Sequence, residues 1–207
     1  MVIKRSIMTL YSGSLDIPSH RVRIVLAEKG IAVDVKYVDP ENPPEDLLTL
    51  NPYNALPTLV DRELVLYDTD VISEYLDERF PHPPLLPVYP IARAKCRLMI
   101  YRIRKNWLAL LPKIQQGKKR EAEEIRKQIR TDLTSLAPLF TEMPYFLSED
   151  FSLVDCCLAP MLWRLPSLGV FLPTQAKAIH EYKKRIFARE SFKSSLSELE
   201  QELHDIL

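Results

Sequence analysis

Residues 81–90 read Pro-His-Pro-Pro-Leu-Leu-Pro-Val-Tyr-Pro, and this stretch decides how the chain is organised. Five prolines in ten residues exclude a helix. Each ring fixes its own φ, removes a backbone donor and steers the preceding residue toward extended geometry. The segment therefore reads as an extended boundary between differently patterned halves. The expected organisation is a first domain over 1–80, a proline-rich linker over 81–90 and a second domain over 91–207.

Upstream of the linker the hydrophobic period alternates between two and about three and a half. Ile7-Met-Thr-Leu-Tyr11 is a short β-prone run. Val22, Val25 and Leu26 then share a helical stripe, which ends at Gly30, where a left-handed cap belongs. Ala32-Val-Asp-Val-Lys-Tyr-Val38 alternates as a half-buried strand, and so short a crossover implies a parallel pair. Asn42-Pro43-Pro44 introduces a brief helix through Leu50. Leu59-Val60 and Leu64-Val65-Leu66 flank Asp61-Arg62-Glu63 as a hairpin. A helix from Asp68 to about Arg79 is expected to bury Val71, Ile72, Tyr75 and Leu76. The order β-α-β-α-β-β-α is an α/β, thioredoxin-like layout, a mixed four-stranded sheet with helices on both faces.

Downstream, everything reads as helix, giving an all-α domain. Ile125, Ile129, Leu133, Leu136 and Phe140 repeat at three- and four-residue steps. Val154, Cys157, Leu158, Met161, Leu162 and Leu165 make a helix apolar on nearly every side, the expected central helix. Ser152-Leu-Val-Asp155 is a capping box at its start, and Pro160 lies inside it. Two more helices, roughly 175–188 and 191–205, complete the domain.

Composition narrows the function classes. The 28 basic and 28 acidic side chains balance to zero formal charge, against the basic excess that phosphate binding demands, so direct specific DNA binding is disfavoured. Lys118-Lys119-Arg120 with Arg126, Lys127 and Arg130 is interleaved with Glu121, Glu123 and Glu124, the pattern of a solvated helix face. No stretch approaches the roughly 18 apolar residues of a membrane span. Cys96, Cys156 and Cys157 have neither disulfide nor metal spacing, and four scattered histidines add no metal site. With four glycines and no Gly-x-Gly-x-x-Gly or phosphate loop, neither familiar nucleotide motif is present. A reduced, cytoplasmic protein without cofactor or metal is expected.

Val22-Arg-Ile-Val-Leu-Ala-Glu-Lys-Gly-Ile31, Asn51-Pro52, Leu56-Pro57-Thr58-Leu59, Asp68-Thr69 and Ser152-x-x-Asp155 occur in the order and spacing of the glutathione-transferase superfamily, which the chain resembles over its whole length. Within it, Lys4-Arg-Ser-Ile-Met-Thr-Leu10, Leu59-Val-Asp-Arg-Glu-Leu64, Glu74-Tyr-Leu-Asp-Glu-Arg-Phe-Pro-His-Pro-Pro84 and Tyr145-Phe-Leu-Ser-Glu-Asp-Phe-Ser-Leu-Val-Asp-Cys156 are similar to the stringent starvation protein A family. The superfamily resemblance implies a cis bond before Pro57 and a vestigial glutathione groove at Asp16, Pro57, Asp68 and Thr69. The narrower resemblance implies a dimer without transferase activity that associates with RNA polymerase holoenzyme and adjusts transcription under starvation and stress. It also implies a functional surface at Pro81-His82-Pro83.

Residue chemistry tests the catalytic expectation. A transferase stabilises a thiolate near the start of the first helix, where hydrogen-bond donors and the helix dipole favour the anion. By comparison with related transferases, that position falls near Asp16. Two like charges about 4 Å apart repel by about 4 kcal/mol at an effective dielectric near 20, so an ionised Asp16 opposes a thiolate. Beside Ile17-Pro18, Asp16 suits an N-cap. Tyr11, Ser12, Ser14 and Ser19 keep the alternative open, a glutathione-dependent transferase or isomerase. Asp68-Thr69 equally suits a helix start.

Pro81, His82, Pro83 and Pro84 form a stiff segment, which lowers the entropy lost on binding, and Tyr89 adds a flat contact surface. The expected function is transcriptional regulation by protein binding. The expected partners are RNA polymerase holoenzyme, a further regulator such as a sigma factor, and a second copy or a paralogue, paired along residues 91–140.

Overall fold

The computed structural model describes residues 7–205. They divide into two compact units: one reaches to Pro83 and takes in Ser191–Glu202, and the other is built from Pro84–Glu190. The expected second domain, 91–207, thus differs at its end, because residues 191–202 pack with the sheet unit.

In the first unit, β1 (Met8–Ser12), α1 (Ile17–Glu28), β2 (Val33–Tyr37), α2 (Glu45–Leu50), β3 (Thr58–Asp61), β4 (Leu64–Leu66) and α3 (Thr69–Arg79) follow the order read from the sequence. The sheet order is β2-β1-β3-β4. β1 and β2 are parallel, with Leu10 opposite Val35. β1 with β3 and β3 with β4 are antiparallel. Gly30, at φ +61°, takes the left-handed position that ends α1. Arg62, at φ +59°, turns the β3–β4 hairpin where a glycine is more usual. The core joins Leu10, Val22, Ile24, Val25 and Leu59 to Ile72 and Leu76. Val71, expected in that core, is 51% exposed, and Tyr75 is half-buried. One residue is about 100° of helical rotation, so the inward face set by Ile72, Ser73, Leu76 and Asp77 turns Val71 outward.

In the second unit, α4 (Pro90–Asn106), a 3-10 turn (Leu108–Leu110), α5 (Leu111–Gln116), α6 (Lys119–Ser135), α7 (Leu139–Glu142), α8 (Leu153–Arg164) and α9 (Lys177–Phe187) follow the linker. α8 is the central helix: every residue from Leu153 to Leu162 is buried, and Pro160 lies within it. α6 buries Ala122, Ile125, Ile129 and Leu133. The expected continuation to Phe140 is broken, because Pro138 separates α6 from α7. Arg120–Glu124 and Arg126–Glu123 pair across the exposed face of α6, as the interleaved charges imply.

The expected last helix is two. α10 (Glu190–Ser195) stops and α11 (Glu198–Asp205) begins anew. Ser197 Oγ accepts from Glu200 N at 3.2 Å, and Glu200 Oε2 accepts from Ser197 N at 2.9 Å. That is a capping box, and Ser197-Glu-Leu-Glu200 spells it in the sequence.

Candidate functional site

The corner between β1 and α1 is where a thiolate-stabilising group would stand. Asp16 has extended backbone, φ −80° and ψ 145°, and its Oδ1 accepts from Ser19 N at 2.7 Å. It is the N-cap of α1, with Pro18 in the first turn. Its carboxylate folds over Gly13: a Cβ there would lie 1.8 Å from Asp16 Oδ2, so any larger residue would have to displace the capping carboxylate. Ser19 Oγ accepts from Gly13 N at 2.9 Å. Ser12 Oγ donates to the Gly13 carbonyl and accepts from Arg23 Nη1.

Tyr11 points elsewhere. Its ring packs with Val38 and Leu47, and its hydroxyl donates to Asp46 Oδ2 at 2.6 Å beside Lys36. Burial, reinforced by the hydrogen bond to Asp46, pushes the phenol pKa above its ordinary value. The same bond from Tyr11 holds the Asp46 carboxyl below its own. Among the described residues Ser14 Oγ is the one hydroxyl of this corner without a hydrogen-bond partner; its carbonyl accepts from Ser197 Oγ at 2.5 Å.

Behind the corner lies a buried polar cluster that sequence reasoning missed. Arg23 Nη1 also donates to the Gly13 carbonyl at 2.8 Å, its Nε to the Ser195 carbonyl at 2.8 Å, and its Nη2 to Glu200 Oε2 at 2.6 Å. His20 sets Nε2 3.1 Å from Ser195 Oγ and Nδ1 3.7 Å from Glu200 Oε1. The capping box at Ser197 is the local signal that could have marked this segment as a docked one. Its partners on α1 have no sequence signal, being 177 positions away in the case of Arg23 and Glu200.

The Leu56–Pro57 bond is cis, as the superfamily resemblance implies. Asn51 Nδ2 holds the preceding turn by donating to Thr58 Oγ1 at 2.9 Å. Asp68 is the N-cap of α3, its Oδ1 accepting from Asp70 N at 2.9 Å and Val71 N at 3.1 Å, and Thr69 is the first helical residue. Arg21 Nη1 reaches Asp70 Oδ1 at 2.5 Å.

Pro81, His82, Pro83 and Pro84 are all exposed and non-helical, and Tyr89 is 78% exposed. The division between the units falls after Pro83, so Pro84 and Tyr89 belong to the helical unit. The His82–Pro83 bond is cis. The Pro83 carbonyl accepts from Lys29 Nζ at 2.5 Å, and that buried ammonium also meets Asp77 Oδ1 at 2.6 Å. Lys29, missed in the sequence, fixes the stretch from beneath. In the helical unit the Leu85 carbonyl accepts from Leu153 N at 2.9 Å.

Among the described residues no group of three His, Cys, Asp or Glu side chains could hold a metal ion. No described helix is long and apolar enough to cross a membrane.

Comparison with known proteins agrees with this geometry. Residues 18–79 match the glutathione S-transferase N-terminal domain family, and residues 98–190 match the C-terminal domain family. The stringent starvation protein A homolog of Coxiella burnetii is 59% identical over 206 residues, 99% of each chain. That of Pasteurella multocida is 56% identical over 93% of this chain and 92% of its own. Among solved structures, glutathione transferase Omega 3C from Trametes versicolor superposes with a TM-score of 0.82 at 28% identity, covering 92% of this chain and 89% of its own. With near-complete coverage at such identity, the chain belongs to the stringent starvation protein A family and has the glutathione-transferase fold.

Proposed function

We propose that this protein is an RNA polymerase-associated regulator of the starvation and stress response, acting by protein binding rather than catalysis through the surface around His82. The observation that carries the reading is the exposed Pro81–Pro84 stretch, stiff by composition and tied through the Pro83 carbonyl to the buried Lys29–Asp77 pair. A surface held in one shape before the partner arrives loses little conformational entropy on binding. The names of the full-length relatives support the stress role. The lack of catalysis is supported by Asp16, an acidic cap at the position where a thiolate would need a donor. The reading includes a dimer, supported by Ile91 and Tyr101, which stand exposed along α4.

The test is a pull-down of RNA polymerase holoenzyme by the wild type and by a His82→Ala variant of unchanged melting temperature. Retention by the wild type and loss in the variant is the expected result. No retention by either at micromolar concentration removes the reading. The competing reading, a glutathione-dependent transferase or isomerase, draws on the cis Leu56–Pro57 bond and on the Ser14 hydroxyl. Glutathione conjugation above the buffer rate, abolished by Ser14→Ala, would put that reading first.

A further inference from the structure

The helical unit contains a cavity of about 440 Å³ on the flank of α4, well within the roughly 300–1,000 Å³ of small-molecule sites. Lys95 and Arg102 stand on that flank seven residues apart, two helical turns, with Met99 between them. Facing them are Phe146, from the stretch before α8, and Val154 in its first turn. Phe146 and Val154 are buried and make the floor, while Lys95, Leu98 and Arg102 are exposed and make the mouth.

The charge at this mouth is one-signed. Among the described residues no carboxylate lines the cavity, and neither Lys95 nor Arg102 has an acidic partner. Asp155, next to Val154 in α8, is taken up by hydrogen bonds from Phe146 N, Ser152 N, Ser152 Oγ and the Tyr182 hydroxyl. An apolar floor favours a hydrocarbon body, because burial removes it from water. Two unneutralised cations at the rim favour an anionic head, and a guanidinium matches a carboxylate in shape as well as charge.

We propose that this cavity binds an apolar monocarboxylate of the fatty-acid class, with its chain against Phe146 and Val154 and its carboxylate between Lys95 and Arg102. His82 does not line the cavity, and the proposal does not depend on the polymerase reading.

Calorimetric titration of the full chain with decanoate, octanoate and 1-octanol tests it. Decanoate binds saturably and about fifteenfold more tightly than octanoate, the factor that two further buried methylenes contribute. Octanoate binds at least tenfold more tightly than 1-octanol, which has the same chain length and no charge. The Lys95→Ala/Arg102→Ala double variant, altered only at exposed positions, loses about tenfold or more in decanoate affinity, the scale of one hydrogen bond to a charged group. Cys96 lines the same cavity, whereas Cys156 and Cys157 are fully buried. Decanoate should therefore slow maleimide labelling of Cys96. The proposal is overturned by the absence of saturable binding at millimolar decanoate, by equal binding of octanoate and 1-octanol, by unchanged affinity in the double variant, or by binding that leaves Cys96 labelling unaffected.

Discussion

Each unit buries a carboxylate completely, and the two solve the cost in different ways. In the sheet unit, Glu200 sits against the Arg23 guanidinium at 2.6 Å, with His20 nearby. In the helical unit, neutral donors hold Asp155: two backbone N–H groups and two hydroxyls. A counter-charge makes the first site intolerant of losing one partner. Neutral donors leave the second site open to protonation. Burial raises the Asp155 carboxyl above the ordinary aspartate value, against the lowering effect of its hydrogen bonds, and pushes the Tyr182 phenol well up. The comparison also separates their roles. Both close a capping box from three residues beyond the cap, but Glu200 in addition joins residues 191–202 to Arg23 behind the corner of the candidate groove.

The largest effect should come from breaking the charged pair. Arg23→Met leaves Glu200 buried without its counter-charge and should cost about 3–5 kcal/mol in urea unfolding. Arg23→Met combined with Glu200→Leu should recover much of that loss, because the orphaned charge is gone. If single and double variants fall equally, packing rather than charge fastens the segment.

Asp155→Asn should cost less, about 1–3 kcal/mol, the scale of leaving buried donors unsatisfied. Its pH dependence sharpens the contrast. The folded chain protonates Asp155 at a higher pH than the unfolded chain does, so the wild type gains stability as pH falls through the window above about 4, the ordinary aspartate pKa. The Asn variant lacks that gain, and the gap between the two should widen as pH falls toward about 4. A gap that narrows would mean Asp155 is held as the anion.

Next in size are the caps. Ser197→Ala removes the start of α11 and should cost about 1 kcal/mol, as should Asp16→Ala at the start of α1. Both are read by the unfolding midpoint at unchanged slope. The smallest effect belongs to Arg120→Ala on α6, whose exposed pair with Glu124 should leave the midpoint unmoved.

Much of this fold is legible without coordinates because its signals are local. The prolines of 81–90 mark the end of the sheet elements, Ser152 and Asp155 announce α8, and Gly30 ends α1 within one turn of its last apolar residue. Asp16 and Asp68 read as helix starts, and both are N-caps. Where local reading fails, it fails through a neighbour. Val71 carries an apolar side chain on a helix whose inward face is set by Ile72 and Leu76. Leu136 and Phe140 continue a stripe that Pro138 interrupts.

The sequence by itself determined the two patterns, their boundary, the helix caps and the family, because propensity, periodicity and capping act over a few residues. Only the tertiary structure decided which distant groups meet. It turned Tyr11 toward Asp46 and away from the corner it was a candidate to serve. It set Lys29 under Pro83, brought residues 191–202 back to the sheet unit, and placed Arg23 against Glu200. Those contacts form because buried polar groups must find partners wherever the folded chain offers them, and no spacing rule links positions 23 and 200.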